Sequence, residues 1–152
     1  YANEERREQV SFWEGDFNEI RLILIESPRF SEKLGVYTYT AQEELKEPWK
    51  RKGQGHFDYF AMNILLQKAI LAYSACYGQR PDCIHCHDGH TALIPVLMRE
   101  LEGYRYIFKD TGAIITIHNA GIGYHQDVRD LPFAKAITGL PWRIIHGSLL
   151  NG

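Results

Sequence analysis

Between Asp82 and Asn119 the chain switches twice between an apolar β-type run and a polar turn, and this alternation constrains the fold more than any other feature. Asp82-Cys-Ile-His-Cys86 reads as a short strand and passes at once into polar His87-Asp-Gly-His90. Thr91 to Leu101 follows helical spacing and closes at Gly103, with Pro95 demanding either a late helix start or a kink. Gly112-Ala-Ile-Ile-Thr-Ile117 is a second β run, and it too ends on polar residues, His118-Asn119. Strand, polar turn, helix, strand and polar turn predict a βαβ unit with parallel strands. Ligands of such sheets bind beyond the carboxyl ends of the strands, and both polar clusters fall at that edge.

The flanking segments fill out the same architecture. Val10–Trp13 and Glu19–Ile25 are β-type runs separated by Gly15-Asp16 and Asn18, which predicts an N-terminal β-hairpin. Ser27-Pro28 ends the second run. Residues 28–55 read as a long loop, punctuated by Gly35, Pro48, Gly53 and Gly55, with a short helix at Ala41–Lys46 and a solvated basic cluster, Lys50-Arg51-Lys52. From Phe57 to Tyr77 the period becomes helical: Phe57, Phe60, Ala61, Ile64, Leu65, Lys68, Ala72 and Cys76 share a stripe that Leu66, Ile70 and Leu71 widen. Gly78 and Pro81 close that helix. A further helix is expected near Asp130–Thr138. The prediction is an α/β fold over residues 1–152 as a single domain: a Rossmann-like three-layer sandwich with a mainly parallel sheet and an N-terminal β-hairpin.

Composition narrows the function classes. The 152 residues are 45% apolar and 24% charged, a globular balance that excludes a wholly disordered chain. A formal charge of −2 supplies no bulk attraction for nucleic acid or an anionic membrane, and neither is expected as a partner. The strongly apolar stretch Leu22–Ile25 is far too short to span a bilayer, and the first residues are charged where a signal peptide needs an apolar core. Three cysteines cannot all pair, which predicts a reducing, cytoplasmic location. The start on Tyr1 leads us to expect a piece of a longer protein.

Several residue clusters invite a chemical reading. Cys83, His85, Cys86, His87 and His90 are all metal-ligating types, but alternation puts Cys83, His85 and His87 on one strand face at steps of about 7 Å, twice what zinc ligands need. No metal is expected. Cys83-Ile-His-Cys86 matches a redox pattern, yet it lies inside an apolar β run where small buried thiols fill space. Gly121-Ile-Gly123 lacks the third glycine of a dinucleotide loop, Gln126 standing in its place. His56, His125 and His146 read as loop or surface residues. Asp88 is different, because a carboxylate at a strand end either caps the following helix or points into the ligand crevice, where His118-Asn119 would face it. The pattern leaves both readings open.

At this point a family becomes recognisable. Pro81-Asp82-Cys-Ile-His85-Cys-His87-Asp88-Gly-His90-Thr91-Ala-Leu-Ile-Pro95 resembles the P-D-x-x-H-x-H-D-W-H-x-x-x-x-P segment of bacterial glycogen synthases and plant starch synthases. Thr116-Ile-His118-Asn119 is similar to the T-x-H-N strand end of that family. Leu140-Pro141-Trp142, His146-Gly147 and Asn151-Gly152 resemble its next stretch, and Leu24-Ile25-Glu26-Ser-Pro28-Arg-Phe30 resembles the strand before its active-site loop. The resemblance implies a partial N-terminal half of a GT-B glycosyltransferase. Its reaction would be retaining transfer of glucose from an ADP-glucose donor to the non-reducing end of an α-1,4-glucan acceptor, with no metal or cofactor. By position, Asp88 and His118 take the catalytic places beside the transferred glucose, and His90, Asn119 and Tyr37 those of substrate-binding residues.

The departures set further expectations. Gly89 stands where the family has tryptophan, so an aromatic wall of the sugar site is missing or supplied elsewhere. The run Ala-Gly-Ile-Gly-Tyr-His-Gln after Asn119 replaces a tyrosine-glutamine-glycine segment, and the helix from Phe57 lacks an arginine-phenylalanine pair. The family's opening lysine-glycine-glycine loop and its C-terminal donor-binding domain have no counterpart in this chain, which is therefore expected to be inactive alone. Two other outcomes stay open: a non-catalytic carbohydrate-binding or scaffolding domain of GT-B origin, and a GT-B transferase using another nucleotide-sugar. A metal or redox module at Cys83–His90 is the remaining contender.

Overall fold

The computed structural model describes residues 7–120, 128 and 130–149. They divide into two compact units, Arg7–Met62 and the part from Asn63 onward. The architecture is α/β, with an antiparallel hairpin in the first unit and a parallel, partial Rossmann-like pair in the second.

In the first unit, β1 (Ser11–Phe17) pairs with β2 (Ile20–Glu26) antiparallel. Of the turn-forming residues expected between the strands, Asn18 is in the turn and Gly15-Asp16 are not; the turn lies at Asn18-Glu19. Both residues have positive φ (49° and 66°), the backbone sense that matches the twist of a two-residue hairpin. Asp16 and Gly15 instead continue β1 opposite Arg21 and Leu22. Glu14 and Arg21 are ion-paired at 2.6 Å, while Trp13, Phe17, Ile20, Leu22 and Leu24 share the opposite, exposed face.

Pro28 ends β2 and opens a single turn, α1 (Pro28–Ser31). The expected short helix is present as α2 (Ala41–Lys46), held by a capping box in which the Thr40 hydroxyl accepts from the Glu43 N–H and the Glu43 carboxylate accepts from Thr40. His56 is a loop residue, as expected, but a buried one, and its Nε2 bonds the Gly35 carbonyl at 2.9 Å. A Cβ at position 35 would collide with the Thr38 carbonyl oxygen, so only glycine fits there. Asp58 anchors Arg29 (2.7 Å) and Lys33 (3.1 Å). Burial raises the Asp58 pKa, but the hydrogen bonds and charges of Lys33 and Arg29 outweigh it and hold the carboxyl below its ordinary value.

Helix α3 (Tyr59–Cys76) starts two residues later than the apolar stripe implied, leaving Phe57 exposed ahead of it. Phe60, Ile64, Gln67 and Leu71 form its buried stripe at helical spacing, and Ala69 and Tyr73 bury a second flank. This broad burial explains the all-round apolar sequence. Gly78, with φ +66°, follows the helix in the left-handed conformation, as expected.

The parallel pair is β3 (Cys83–His87) and β4 (Gly112–Thr116), in the register Cys83↔Gly112 to His87↔Thr116. Three helical pieces connect them: α4 (Asp88–Thr91), α5 (Ile94–Glu100) and α6 (Glu102–Ile107). Pro95 therefore marks a late helix start. The predicted stop at Gly103 is overturned: the break falls at Leu101, whose extended backbone separates α5 from α6, and Gly103 lies inside α6. Helix α7 (Leu131–Thr138) starts at an Asp130 side-chain cap and ends at Gly139 with φ +76°. Helix α8 (Trp142–Leu149) follows it.

Arg99 ties the crossover to β4, its guanidinium donating to the carbonyls of Phe108 (2.6 Å), Lys109 (3.1 Å) and Thr111 (2.7 Å). Thr111 Oγ1 donates to the Pro81 carbonyl, and the Gly112 N–H to Asp82, so both strands start at one level. Ile94, Leu97, Met98, Phe108, Leu140 and Ile145 form the core of this unit. Leu97 is fully buried, and Leu97→Ala is expected to cost about 2–5 kcal/mol through lost burial and the cavity left behind. Urea unfolding monitored by circular dichroism measures it.

Candidate active site

Strand alternation decides which side chains of β3 are available. Cys86 is 1% exposed and points into the core, whereas Cys83, His85 and His87 lie on the exposed face. Burial raises the Cys86 thiol pKa, and Cys76, Cys83 and Cys86 all stand as free thiols. Cys83 and Cys86 thus occupy opposite faces, which leaves the C-x-x-C pattern without redox geometry and corrects the expectation that both are buried core thiols: only Cys86 is. Among the described residues, no group of three or more His, Cys, Asp or Glu is arranged to hold a metal ion.

The carboxyl ends of the two parallel strands meet in a compact polar cluster. At the end of β3 the backbone turns sharply, and Asp88 takes φ +55°, a left-handed conformation that costs a non-glycine residue energy and that Asp tolerates better than most. Thr91 pins the preceding residue: its Oγ1 accepts the His87 N–H (2.7 Å) and donates to the His87 carbonyl (2.9 Å). The strained turn aims the Asp88 carboxylate at the end of β4, where Oδ1 accepts the His118 main-chain N–H at 2.7 Å. Asp88 caps no helix of its own; its carboxylate bridges two strand ends.

Several causes hold the Asp88 carboxyl below its ordinary pKa. The largest is the His118 N–H, which outweighs a smaller desolvation effect, and the His118 imidazole, the Asn119 N–H and the nearby His90 add to it. The group is accordingly an anion at neutral pH. His118 is exposed, and its Nε2 lies 2.8 Å from His87 Nδ1. His85 Nε2 lies 2.7 Å from Thr116 Oγ1, and its ring packs 4.3 Å from that of His87.

Four of the five residues singled out from the sequence are thus gathered: Asp88, His118 and Asn119 by hydrogen bonds, with His90 close by on α4. Tyr37 is an exposed loop residue of the first unit. The Gly121–Gln126 run, with Gly123 and His125, lies outside the described residues. His85, His87 and Thr91 were weighed in the sequence only as possible ligands or motif positions. Alternation put His85 and His87 on one strand face, but it carried no signal that His87 meets His118, a contact 31 positions away set by strand register.

The pattern of the starch synthase catalytic domain matches residues 2–149. The chain belongs to that family. Among curated relatives it is 38% identical over 106 residues to a glycogen synthase of Flavobacterium johnsoniae, covering 69% of this chain and 21% of the relative. It is 41% identical over 70 residues to a glycogen synthase of Chlorobium phaeobacteroides (46% of this chain, 13% of the relative). Against a glycogen synthase of Lachnospira eligens the figure is 42% over 74 residues (49% and 15%). The matched stretches of the chain thus span only 13 to 21% of these three relatives. No solved structure matches the chain.

The depressed Asp88 pKa has a stability consequence. Its increment is full above the unfolded aspartate pKa of about 4 and is lost as pH falls through the lower folded value. Asp88→Asn removes the charge but keeps an acceptor oxygen. Its stability deficit relative to the native sequence should be constant near neutrality and shrink in acid, which urea midpoints compared at pH about 7 and about 3 will read.

Proposed function

We propose that this chain is a portion of the N-terminal catalytic domain of a glycogen or starch synthase. The whole enzyme would be a retaining glucosyltransferase of GT-B architecture that moves glucose from ADP-glucose to the non-reducing end of an α-1,4-glucan in the cytoplasm. The observation that carries this reading is the Asp88 carboxylate held on the His118 main chain at the ends of two parallel strands, in a chain of the starch synthase family. Among the described residues no helix is long and apolar enough to cross a membrane.

The chemistry asks for such a group. Retaining transfer develops positive charge at the anomeric carbon, and a fixed carboxylate and oriented carbonyl dipoles stabilise it where bulk water is excluded. Asp88 is already ionised and its orientation is set by main-chain donors, so little reorganisation is needed as charge develops. His118, with Asn119 and His90 beside it, supplies hydrogen bonds that orient glucose hydroxyls against the acceptor. Gly89 is exposed at the position where the family's tryptophan would wall the sugar. That feature favours, as a second reading, a carbohydrate-binding domain that has lost transfer.

Glucose incorporation into glycogen separates the readings. A longer polypeptide containing this chain is expected to use ADP-glucose in preference to UDP-glucose, and its Asp88→Ala variant to lose about 10²–10³-fold in kcat. The 152-residue chain, which matches only a fraction of its relatives' length, is expected to transfer nothing by itself. Elongation by the isolated chain, or full activity of Asp88→Ala, would falsify the assignment. Glycogen binding without transfer by the longer polypeptide would establish the second reading.

A further inference from the structure

The contact between His87 and His118 defines more than proximity. Nδ1 of the first and Nε2 of the second are 2.8 Å apart, the ring planes differ by 13°, and the centroids are separated by 5.1 Å. That separation exceeds the nitrogen distance by about two ring radii. The rings therefore meet edge to edge in one plane, nitrogen to nitrogen, rather than face to face, and the bond lies along the in-plane lone pair. Both ends are held. Thr91 fixes the His87 backbone, the His85 ring packs on the His87 ring, and the His118 N–H is bonded to Asp88.

A bond between two neutral imidazoles needs one N–H and one lone pair, which allows two arrangements. If His118 Nε2–H donates, both rings carry their proton on Nε2, the tautomer a free histidine side chain favours. The reverse arrangement forces both rings into the Nδ1–H form. We propose that His87 is a positioning residue for His118: its Nδ1 accepts the His118 Nε2 proton, fixes the ring, and leaves His118 Nδ1 as a hydrogen-bond acceptor for a sugar hydroxyl. This assignment rests on the glucosyltransferase reading for its purpose, but not for its geometry. Asp88 contacts His118 and the His85 ring packs on His87, while His90 acts on Asp88.

Long-range ¹H–¹⁵N imidazole spectra of the ¹⁵N-labelled 152-residue chain, at mildly alkaline pH, read the tautomer directly. His118 is expected to show a protonated Nε2 and an unprotonated Nδ1, as a single tautomer. His87→Phe keeps a ring but removes the acceptor, and should give His118 as a mixture of tautomers. His87→Asn, whose amide oxygen stands near the place of Nδ1, should restore the single tautomer and provides a second variant should His87→Phe not fold. A proton on His118 Nδ1 in the native chain, or a tautomer unchanged in His87→Phe, overturns the proposal. In the longer polypeptide His87→Phe should lower kcat about tenfold at unchanged KM for glycogen, with His87→Asn recovering most of it. Absence of all transfer there would count against the synthase reading, while the tautomer result decides the proposal on its own.

Discussion

The site depends on the register of one parallel strand pair. Because His87 lies opposite Thr116, Asp88 and Ile117 leave the sheet at the same level and His118 follows one residue later, within reach of the Asp88 carboxylate. A shift by one residue would turn Cys86 outward and bury His87, exchanging a thiol that fills the core for an imidazole that cannot. The pairing is maintained from its opposite end. Arg99 gathers the carbonyls before β4, and Thr111 and Gly112 bond back to Pro81 and Asp82. The start of the pair is therefore fixed by polar contacts and its middle by burial of Cys86, leaving the exposed end free to carry chemistry.

At that end the structure accepts local strain. The left-handed backbone at Asp88 is unfavourable for a residue with a side chain, and it persists because the Thr91 bonds on one side and the His118 N–H on the other over-determine it. Strain of this kind in a polar cluster at the carboxyl edge of a sheet is a feature of working sites. It sets the carboxylate direction before any ligand arrives, and the same main-chain donors keep that carboxylate charged. Neighbouring imidazoles extend the arrangement, each ring oriented by the next or by a threonine hydroxyl.

Much of the fold could be read along the chain. The short helix expected at Ala41–Lys46 is present with those bounds as α2, and the period change after Phe57 announced α3. The turn-forming residues misled where they were most abundant: Gly15-Asp16 sits inside β1, because the two-residue turn at Asn18-Glu19 preserves the hairpin register. Gly103 misled in the same way. A glycine permits a helix end without requiring one, and the backbone at Leu101 made the break first. His56 read as a loop histidine, and it is one by sequence, but the loop folds over it and its Nε2 bonds Gly35.

The sequence by itself determined the βαβ grammar, which residues of β3 share a face and the motif through which Asp88 and His118 were recognised. These follow from periodicity and residue type, which are local properties of the chain. Tertiary structure decided which polar groups meet. Asp88 could have capped the helix after it, and nothing in the order of residues says that its carboxylate accepts from a main chain thirty positions later. Nor could spacing reveal that His87 faces His118 rather than solvent. Such contacts depend on strand register and on one strained backbone turn, and both emerge only when non-local pairing brings the strand ends together.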